Sequence, residues 1–330
     1  VGVNQLIYGV TIGDSSGVGP EILLKAFRGG ELAHPVVAFG DLAALEYYNG
    51  RLGFGAEFHT ISCAADYREG ALNVIDHKLL GPDEVTAGRL NAKSGRAARE
   101  YVVSAARAAL VGEIAAMVTL PMNKEATQLT DPNFTGHTEL IGEVCGVKDV
   151  TIMLASDQLI VTHVSTHISM AEAIACVKRE RIQMILRLTS EAVGRLRENP
   201  RIAVAGLNPH AGENGLFGDE EIREIRPAVE WARAQGMPVE GPFPPDTVFY
   251  LAVRRKQFDA VVCMYHDQGH IPLKLLDFEG GVNVALGLPI IRTSVDHGTA
   301  FDIAGRGVAS TASFVRALDF AARLAQYRPR

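Results

Sequence analysis

Three histidines stand where apolar strands run out: His167 after Val161–Thr166, His210 after Arg201–Leu207 and His266 after Asp259–Tyr265. In open α/β sheets ligands gather beyond the carboxyl ends of strands, and neutral imidazole is a common donor to a divalent ion that polarises a carbonyl. The spacings of 43 and 56 residues match no local metal motif, and any one of these residues alone reads equally well as a surface or packing histidine. All three share one kind of position, each beside small or polar residues (Ser165-Thr166, Asn208-Pro209, Asp267-Gln268-Gly269). That coincidence favours a ligand set.

A second group suits anions. Gly136-His137-Thr138-Glu139 opens a short helix with Leu140, Ile141, Val144 and Cys145 inward and Gly146 as its stop, so free backbone N–H groups and two side chains could meet a phosphate or carboxylate. Capping alone would also account for Thr138. Lys274, Asn283 and Arg292 are polar residues in a region otherwise strongly apolar, from Ile271 to Ile291, where each is either solvated surface or an anion contact. Lys124 follows another strand end in Pro121-Met122-Asn123-Lys124-Glu125 and is either exposed or available as acid, base or anion contact. Gly13-Asp14-Ser15-Ser16-Gly17-Val18-Gly19-Pro20-Glu21 follows the first strand and opens a helix, Pro20 suiting its first turn. It is neither GxGxxG nor a GxxxxGK[ST] loop, so a tight turn explains it as well as a ligand does.

The elements that must position these residues alternate. Short apolar runs rich in β-branched residues are separated by longer amphipathic ones, the pattern of a parallel sheet crossed by helices. Strands are expected at Ile7–Ile12, Pro35–Phe39, Leu72–Ile75, Ala115–Leu120, Leu159–Val164, Arg201–Leu207 and Asp259–Tyr265, most of them apolar throughout, as strands covered on both faces are. A helix is expected from Ser169, with Glu172 completing a capping box, toward Leu196. With 330 residues, about two domains of ordinary size are expected. No Pro/Gly/Ser linker divides the chain, so two such domains would exchange it more than once. There is no internal repeat.

Composition removes several classes of function. At 47% hydrophobic and 21% charged residues the chain is an ordinary folded protein. Its net charge of −6 comes from interleaved acids and bases, which leaves no basic stripe for nucleic acid. No apolar run approaches the length of a membrane helix, about 18 residues. Val1-Gly2-Val3-Asn4-Gln5 has no targeting pattern, so a cytoplasmic protein is expected. Cys63, Cys145, Cys176 and Cys263, with no CxxC pair, read as reduced packing residues.

Thr293–Gly307 contains His297-Gly298-Thr299-Ala300 followed by Asp302-Ile303-Ala304-Gly305. This core resembles the adenine-nucleotide loop of the isocitrate and isopropylmalate dehydrogenases, which bind NAD(P) without a Rossmann fingerprint. The resemblance implies His297, Gly298, Thr299, Asp302 and Ile303 as cofactor contacts and oxidation of a hydroxyl β to a carboxylate, followed by decarboxylation. Histidines here replace those enzymes' aspartate ligands.

Taken with Gly13–Ile22, Thr119–Ala126, Gly136–Glu139, Thr166-His167, Gly206–Gly212, Pro245-Asp246-Thr247, Met264–Gly269 and Val282–Gly305, the chain resembles the 4-hydroxythreonine-4-phosphate dehydrogenase family along nearly its whole length. The resemblance implies two α/β/α domains, isocitrate/isopropylmalate dehydrogenase-like, with a cleft between them: residues 1–128 plus 281–330, and residues 129–280. It implies a homodimer with the active site at the subunit interface, which the apolar density of Ile271–Ile291 also favours. It makes His167, His210 and His266 ligands of a divalent metal (Zn, Mg, Mn or Co), His137, Thr138, Lys274, Asn283 and Arg292 substrate contacts, and Lys124 and Asp246 catalytic candidates, with NAD or NADP as cofactor. Ser15-Ser16 departs from the family's usual Pro-Ala. Gly269–Leu276 and Phe301–Ile303 look more like the phosphothreonate branch than the pyridoxine one.

The expected activity is therefore metal- and NAD(P)-dependent oxidative decarboxylation of 4-phosphooxy-threonine or 4-phospho-threonate. A phosphate carries about −1.5 to −2 charges and suits the five polar residues together. The alternatives are a cis-dihydrodiol dicarboxylate dehydrogenase, a metal-dependent aldolase or hydrolase, and a two-domain anion-binding protein that catalyses nothing.

Overall fold

The computed structural model describes residues 5–278 and 280–326. Val1–Asn4, part of the N-terminal reading above, and residues 327–330, part of the expected first domain, lie outside the described residues. The strands are β1 (Tyr8–Thr11), β2 (Val36–Gly40), β3 (Phe58–Thr60), β4 (Leu72–Asp76), β5 (Ala116–Thr119), β6 (Thr151–Ala155), β7 (Ile160–His163), β8 (Ile202–Ala205), β9 (Val239–Phe243), β10 (Ala260–Cys263), β11 (Val282–Leu286) and β12 (Arg292–Ser294). The α-helices are α1 (Gly19–Arg28), α2 (Leu42–Leu52), α3 (Ala92–Leu110), α4 (Lys124–Gln128), α5 (His137–Cys145), α6 (Met170–Ala175), α7 (Arg179–Gly194), α8 (Arg226–Ala234), α9 (Pro245–Val253), α10 (His266–Leu276) and α11 (Ala312–Gln326). The class is α/β. All seven expected strands are present.

The chain divides into two compact units, one formed by residues up to Val150 and Leu288–Gln326, the other by Thr151–Gly287. These bounds differ from the expected 128 and 280. The reason is local: α5 packs on α3 and so keeps residues 129–150 with the first unit, while β11 pairs antiparallel with β6 and stays with the second.

In the first unit the strands run β3-β4-β2-β1-β5-β12, all parallel. β1 and β2 are buried along their whole length, α3 packs on β1, β2 and β5, and α11 packs on β5 and β12.

In the second unit the order is β11-β6-β7-β10-β8-β9, parallel from β7 to β9 and antiparallel at β11-β6 and β6-β7. The two-residue period of β8 divides it between two cores. Ile202 and Val204 pack with Ile182, Ile185 and Val229 of α7 and α8, and Ala203 and Ala205 with Val248, Ala252 and Leu273 of α9 and α10. Helices thus cover both faces, which is why β8 and β10 carry apolar residues at every position.

The helix expected from Ser169 begins as a capping box, Ser169 Oγ accepting from the Glu172 N–H while Glu172 accepts from the Ser169 N–H. It does not continue to Leu196. It stops at Ala175, and α7 restarts at Arg179 after an extended Lys178. Val177, buried in the α7/α8 core, anchors the break, and Glu224 accepts from the Arg179 N–H. Among the described residues no helix is long and apolar enough to cross a membrane, and all four cysteines are free.

Candidate active site

Arg292 opens β12 and is only 4% exposed. Its Nε and Nη2 both donate to the Thr119 hydroxyl on neighbouring β5, at 3.1 and 2.7 Å. No ion pair engages it among the described residues, and burial lowers its pKa to about 10, offset in part by the Glu139 carboxylate. His137 is the first residue of α5, after Gly136. Burial, then the Arg292 charge, hold its pKa at about 3, so it is neutral at working pH. Its Nε2 is buried with no hydrogen-bond partner. A guanidinium withdrawn from water is costly unless an anion faces it. An unused imidazole nitrogen beside it adds a donor or an acceptor, according to tautomer. Thr138 is half-buried in the same first turn. This arrangement can bind an anion.

The glycine turn after β1 has a different task. Gly13 adopts φ +72°, and a Cβ there would lie 2.3 Å from the Pro121 carbonyl oxygen, so the turn requires glycine. Ser15 and Ser16 are fully buried. Asp14 accepts from the Ser16 N–H at 2.8 Å and from the Ser94 hydroxyl, and burial raises its pKa. Val18 N–H donates to the Thr299 carbonyl at 3.0 Å. The Glu21 carboxylate accepts from Gly305 and Ala309 N–H at 2.9 and 3.0 Å. The Ser15-Ser16 departure therefore lies inside a scaffold that pins the loop from Thr299 to Ala309. On that loop His297, Gly298 and Asp302 are exposed, while Thr299 and Ile303 are half-buried. Lys124, first residue of α4, is exposed.

In the second unit the strand-end histidines fall beyond β7, β8 and β10 as the sequence indicates. His167 and His266 approach each other, with ring centroids 5.4 Å apart. His266 begins α10, and its Nδ1 lies 2.6 Å from Asp267 Oδ1. His210 does not join them. Its Nδ1 is 2.6 Å from Glu213 Oε1, and its ring faces Phe217 edge-on at 6.0 Å. Among the described residues no group of three or more His, Cys, Asp or Glu side chains is arranged to hold a metal ion within one chain. The donor chemistry nevertheless fits such an ion: in both His210 and His266 a carboxylate occupies Nδ1, the outer-shell pairing that directs Nε2 to a metal.

Two sets of contacts hold these histidines in place. His210 to Asn214 all have positive φ, from 39° to 77°, a conformation costing non-glycine residues roughly 1–2 kcal/mol each. The buried Glu221 steadies the approach to this segment, accepting from Leu207 and Asn208 N–H at 2.7 and 2.8 Å and from Asn208 Nδ2 at 2.9 Å. At the start of α10, buried Gln268 accepts from Met264 N–H at 2.7 Å and donates to the Gly206 carbonyl at 2.8 Å, tying the ends of β10 and β8 together. Beneath His266 lie two further histidines. His270 stacks on it with centroids 3.6 Å apart and a 13° interplanar angle, and His163 meets His270 through Nε2 and Nδ1 at 3.1 Å.

Sequence reading missed His163, His270, Gln268 and Glu221. His270 had a signal, one helical turn after His266; His163, inside an apolar strand, had none. Of the remaining candidates, Lys274 is half-buried with Nζ 5.6 Å over the Phe278 ring. Asn283 on β11 has a buried Oδ1 without a hydrogen-bond partner, and Asp246 is exposed in the first turn of α9.

Residues 31–321 match the family described as pyridoxal phosphate biosynthetic protein PdxA. The chain belongs to the PdxA family. D-threonate 4-phosphate dehydrogenase of Salmonella typhimurium is 46% identical over 321 residues, covering 96% of this chain and 98% of its own length. The crystal structure of 4-hydroxythreonine-4-phosphate dehydrogenase from Klebsiella pneumoniae matches with a TM-score of 0.88 at 42% identity, covering 98% of this chain and all of that one. A terephthalate 1,2-cis-dihydrodiol dehydrogenase from Burkholderia xenovorans matches with a TM-score of 0.72 at 29% identity, over 96% and 97% of the two chains. All three relatives are named dehydrogenases, so the activity to be explained is that of an oxidoreductase.

Proposed function

We propose that this PdxA-family chain oxidises the hydroxyl β to the carboxylate of a phosphorylated threonine-like acid, 4-phosphooxy-threonine or 4-phospho-threonate, and then releases that carboxylate as CO2. The observation that carries the phosphate is Arg292, a buried guanidinium whose partner is a neutral hydroxyl, beside a neutral His137 with a free Nε2. An anion with several acceptor oxygens suits such a pocket better than a single carboxylate does. The higher identity to the two phosphate-named relatives, 46% and 42% against 29%, points the same way.

A nicotinamide cofactor, NAD or NADP, supplies the hydride acceptor, and a divalent ion held by His167, His210 and His266 supplies the Lewis acidity that eases loss of the hydroxyl proton and of CO2. Imidazole donors favour Zn or Co over Mg. The chain's residues bind and orient. Arg292, His137 and Thr138 take the phosphate, and Lys274 and Asn283 are further substrate contacts. The loop carrying His297, Gly298, Thr299, Asp302 and Ile303 takes the cofactor. Lys124 and Asp246, both exposed, are the acid–base candidates: one accepts the hydroxyl proton and the other returns a proton to carbon after CO2 leaves.

The working form is a homodimer with its active site at the subunit interface, of the isocitrate dehydrogenase-like kind. Two features support this: His210 stands apart from His167 and His266 within one chain, so a second copy completes the ligand set, and α10 exposes Ile271 and Leu275 at 63% and 85%. Exhaustive chelation should abolish NAD(P)H production at 340 nm, and added Zn or Co should restore it. Undiminished turnover after chelation would refute the metal's role.

A further inference from the structure

We propose that His270, anchored by His163, is the positioning residue for His266: a buried imidazole pair that fixes the plane of the ligand's ring. This rests on reading His266 as a metal ligand, and it assigns a task to two histidines that the reaction does not otherwise use.

Packing singles them out. His163 is fully buried and His270 9% exposed, in a region where leucine or phenylalanine would fill the same space without a polar nitrogen to satisfy. Burying imidazole nitrogens is unfavourable unless they find partners, and one nitrogen of each ring finds the other, His163 Nε2 to His270 Nδ1 at 3.1 Å. The same His270 Nδ1 lies 3.2 Å from the His266 carbonyl oxygen, one helical turn back. The close fit of helix to strand depends on Gly269. A Cβ there would stand 2.6 Å from His163 Nε2 and 2.9 Å from Cys263 Sγ. Only a residue without a side chain lets α10 lie on β7 closely enough for the two imidazoles to bond.

The consequence falls on His266. Its side chain is one-third exposed at the start of α10, and Asp267, which holds its Nδ1, is 62% exposed. A contact that wet is weak and constrains rotation about the ring axis poorly. The His270 ring, parallel within 13° at 3.6 Å, limits the tilt that Asp267 leaves free. With Nδ1 taken by Asp267, Nε2 is the nitrogen left for a cation, and His270 sets the direction in which it points. Ligand rings held this way lose less freedom on binding, and removal of such support typically lowers metal affinity about 10–100-fold.

The test uses the full-length protein stripped of metal, with Zn2+ alone titrated against a chromophoric chelator and Co2+ alone followed by its visible absorption. His270→Phe and His270→Leu both fill the site, and both leave His163 without its bond. They share that penalty and differ only in whether a ring remains under His266. The expected result is that His270→Phe holds Zn2+ within about threefold of the parent, while His270→Leu is weaker than His270→Phe by tenfold or more, with shifted Co2+ bands. Equal affinities of the two variants, at the parent level or below it, would overturn the proposal. His266→Ala separates the two readings. If it loses Zn2+ while the His270 variants are equal, the positioning role fails and the metal site stands. If His266→Ala binds Zn2+ like the parent, the ligand assignment fails and the positioning role with it.

Discussion

The anion pocket of the first unit and the histidine stack of the second solve opposite problems with the same residue type. At Arg292 the protein buries a charge whose hydrogen-bond partner is a neutral hydroxyl and whose burial the Glu139 carboxylate offsets only in part, and keeps His137 neutral beside it. At His266 imidazole rings are instead stacked under a one-third-exposed donor. The first region gains from an arriving anion that supplies the missing charge, and the second gains from an arriving cation for which its donors are already oriented. Incompleteness in electrostatics and completeness in geometry are thus two signatures of a binding site, and each calls for a different perturbation.

The largest effect is expected at Arg292. Arg292→Lys keeps the charge but loses the planar fork that meets Thr119 and a phosphate together, so kcat/KM for the phosphorylated substrate should fall by about 100-fold or more, roughly 2.7 kcal/mol of transition-state stabilisation. Steady-state kinetics with that substrate checks it. A loss below threefold would remove Arg292 from substrate binding.

Gly269→Ala probes the other region through geometry alone. The added methyl must displace His163 or α10, and overpacking of this kind costs about 1–3 kcal/mol. Calorimetry of the metal-free protein should show a lowered Tm together with weakened Zn2+ binding, whereas a Tm equal to the parent's would mean the helix and strand do not pack as described.

A third effect is one the two regions share. Burial first, then Arg292 for His137 and His270 for His163, depresses both pKa values from 6.5 to about 3. Between these limits the unfolded chain binds protons that the folded chain refuses, so stability is full above pH 6.5 and falls as pH drops toward 3. Urea titrations across that range should show a slope that His137→Asn and His163→Asn each flatten. An unchanged slope in both variants would mean that neither ring is held neutral.

How much of this was legible in the sequence depended on the physical signal. Continuous apolar runs revealed β1, β2, β4, β5, β7, β8 and β10, because strands covered on both faces leave no other pattern. β9 (Val-Glu-Gly-Pro-Phe) was hidden by the glycine and proline that an edge strand tolerates. β3 and β12 are three residues long, too short for any period to show. In β11, Asn283 broke the run. The break between α6 and α7 was invisible because Val177 continues the apolar stripe while its backbone leaves the helix. For the site, the positions of His167, His210 and His266 beyond strand ends were legible, since they follow from where apolar runs stop. That His210 lies on a left-handed segment steadied through Glu221 was not, because φ is not written in residue types other than glycine. Nor was the pairing of His163 with His270, which are 107 residues apart and meet only through α10 packing on β7.

The central claim is that a phosphorylated threonine-like acid is the substrate of metal-assisted oxidative decarboxylation. Its most direct test is a side-by-side measurement of kcat/KM for 4-phosphooxy-threonine, 4-phospho-threonate and an aromatic cis-dihydrodiol dicarboxylate, with Zn2+ and both NAD and NADP supplied. NAD(P)H and CO2 should appear together, with one of the phosphorylated acids preferred by at least tenfold, about 1.4 kcal/mol. Preference for the dihydrodiol by the same margin would contradict the phosphate pocket.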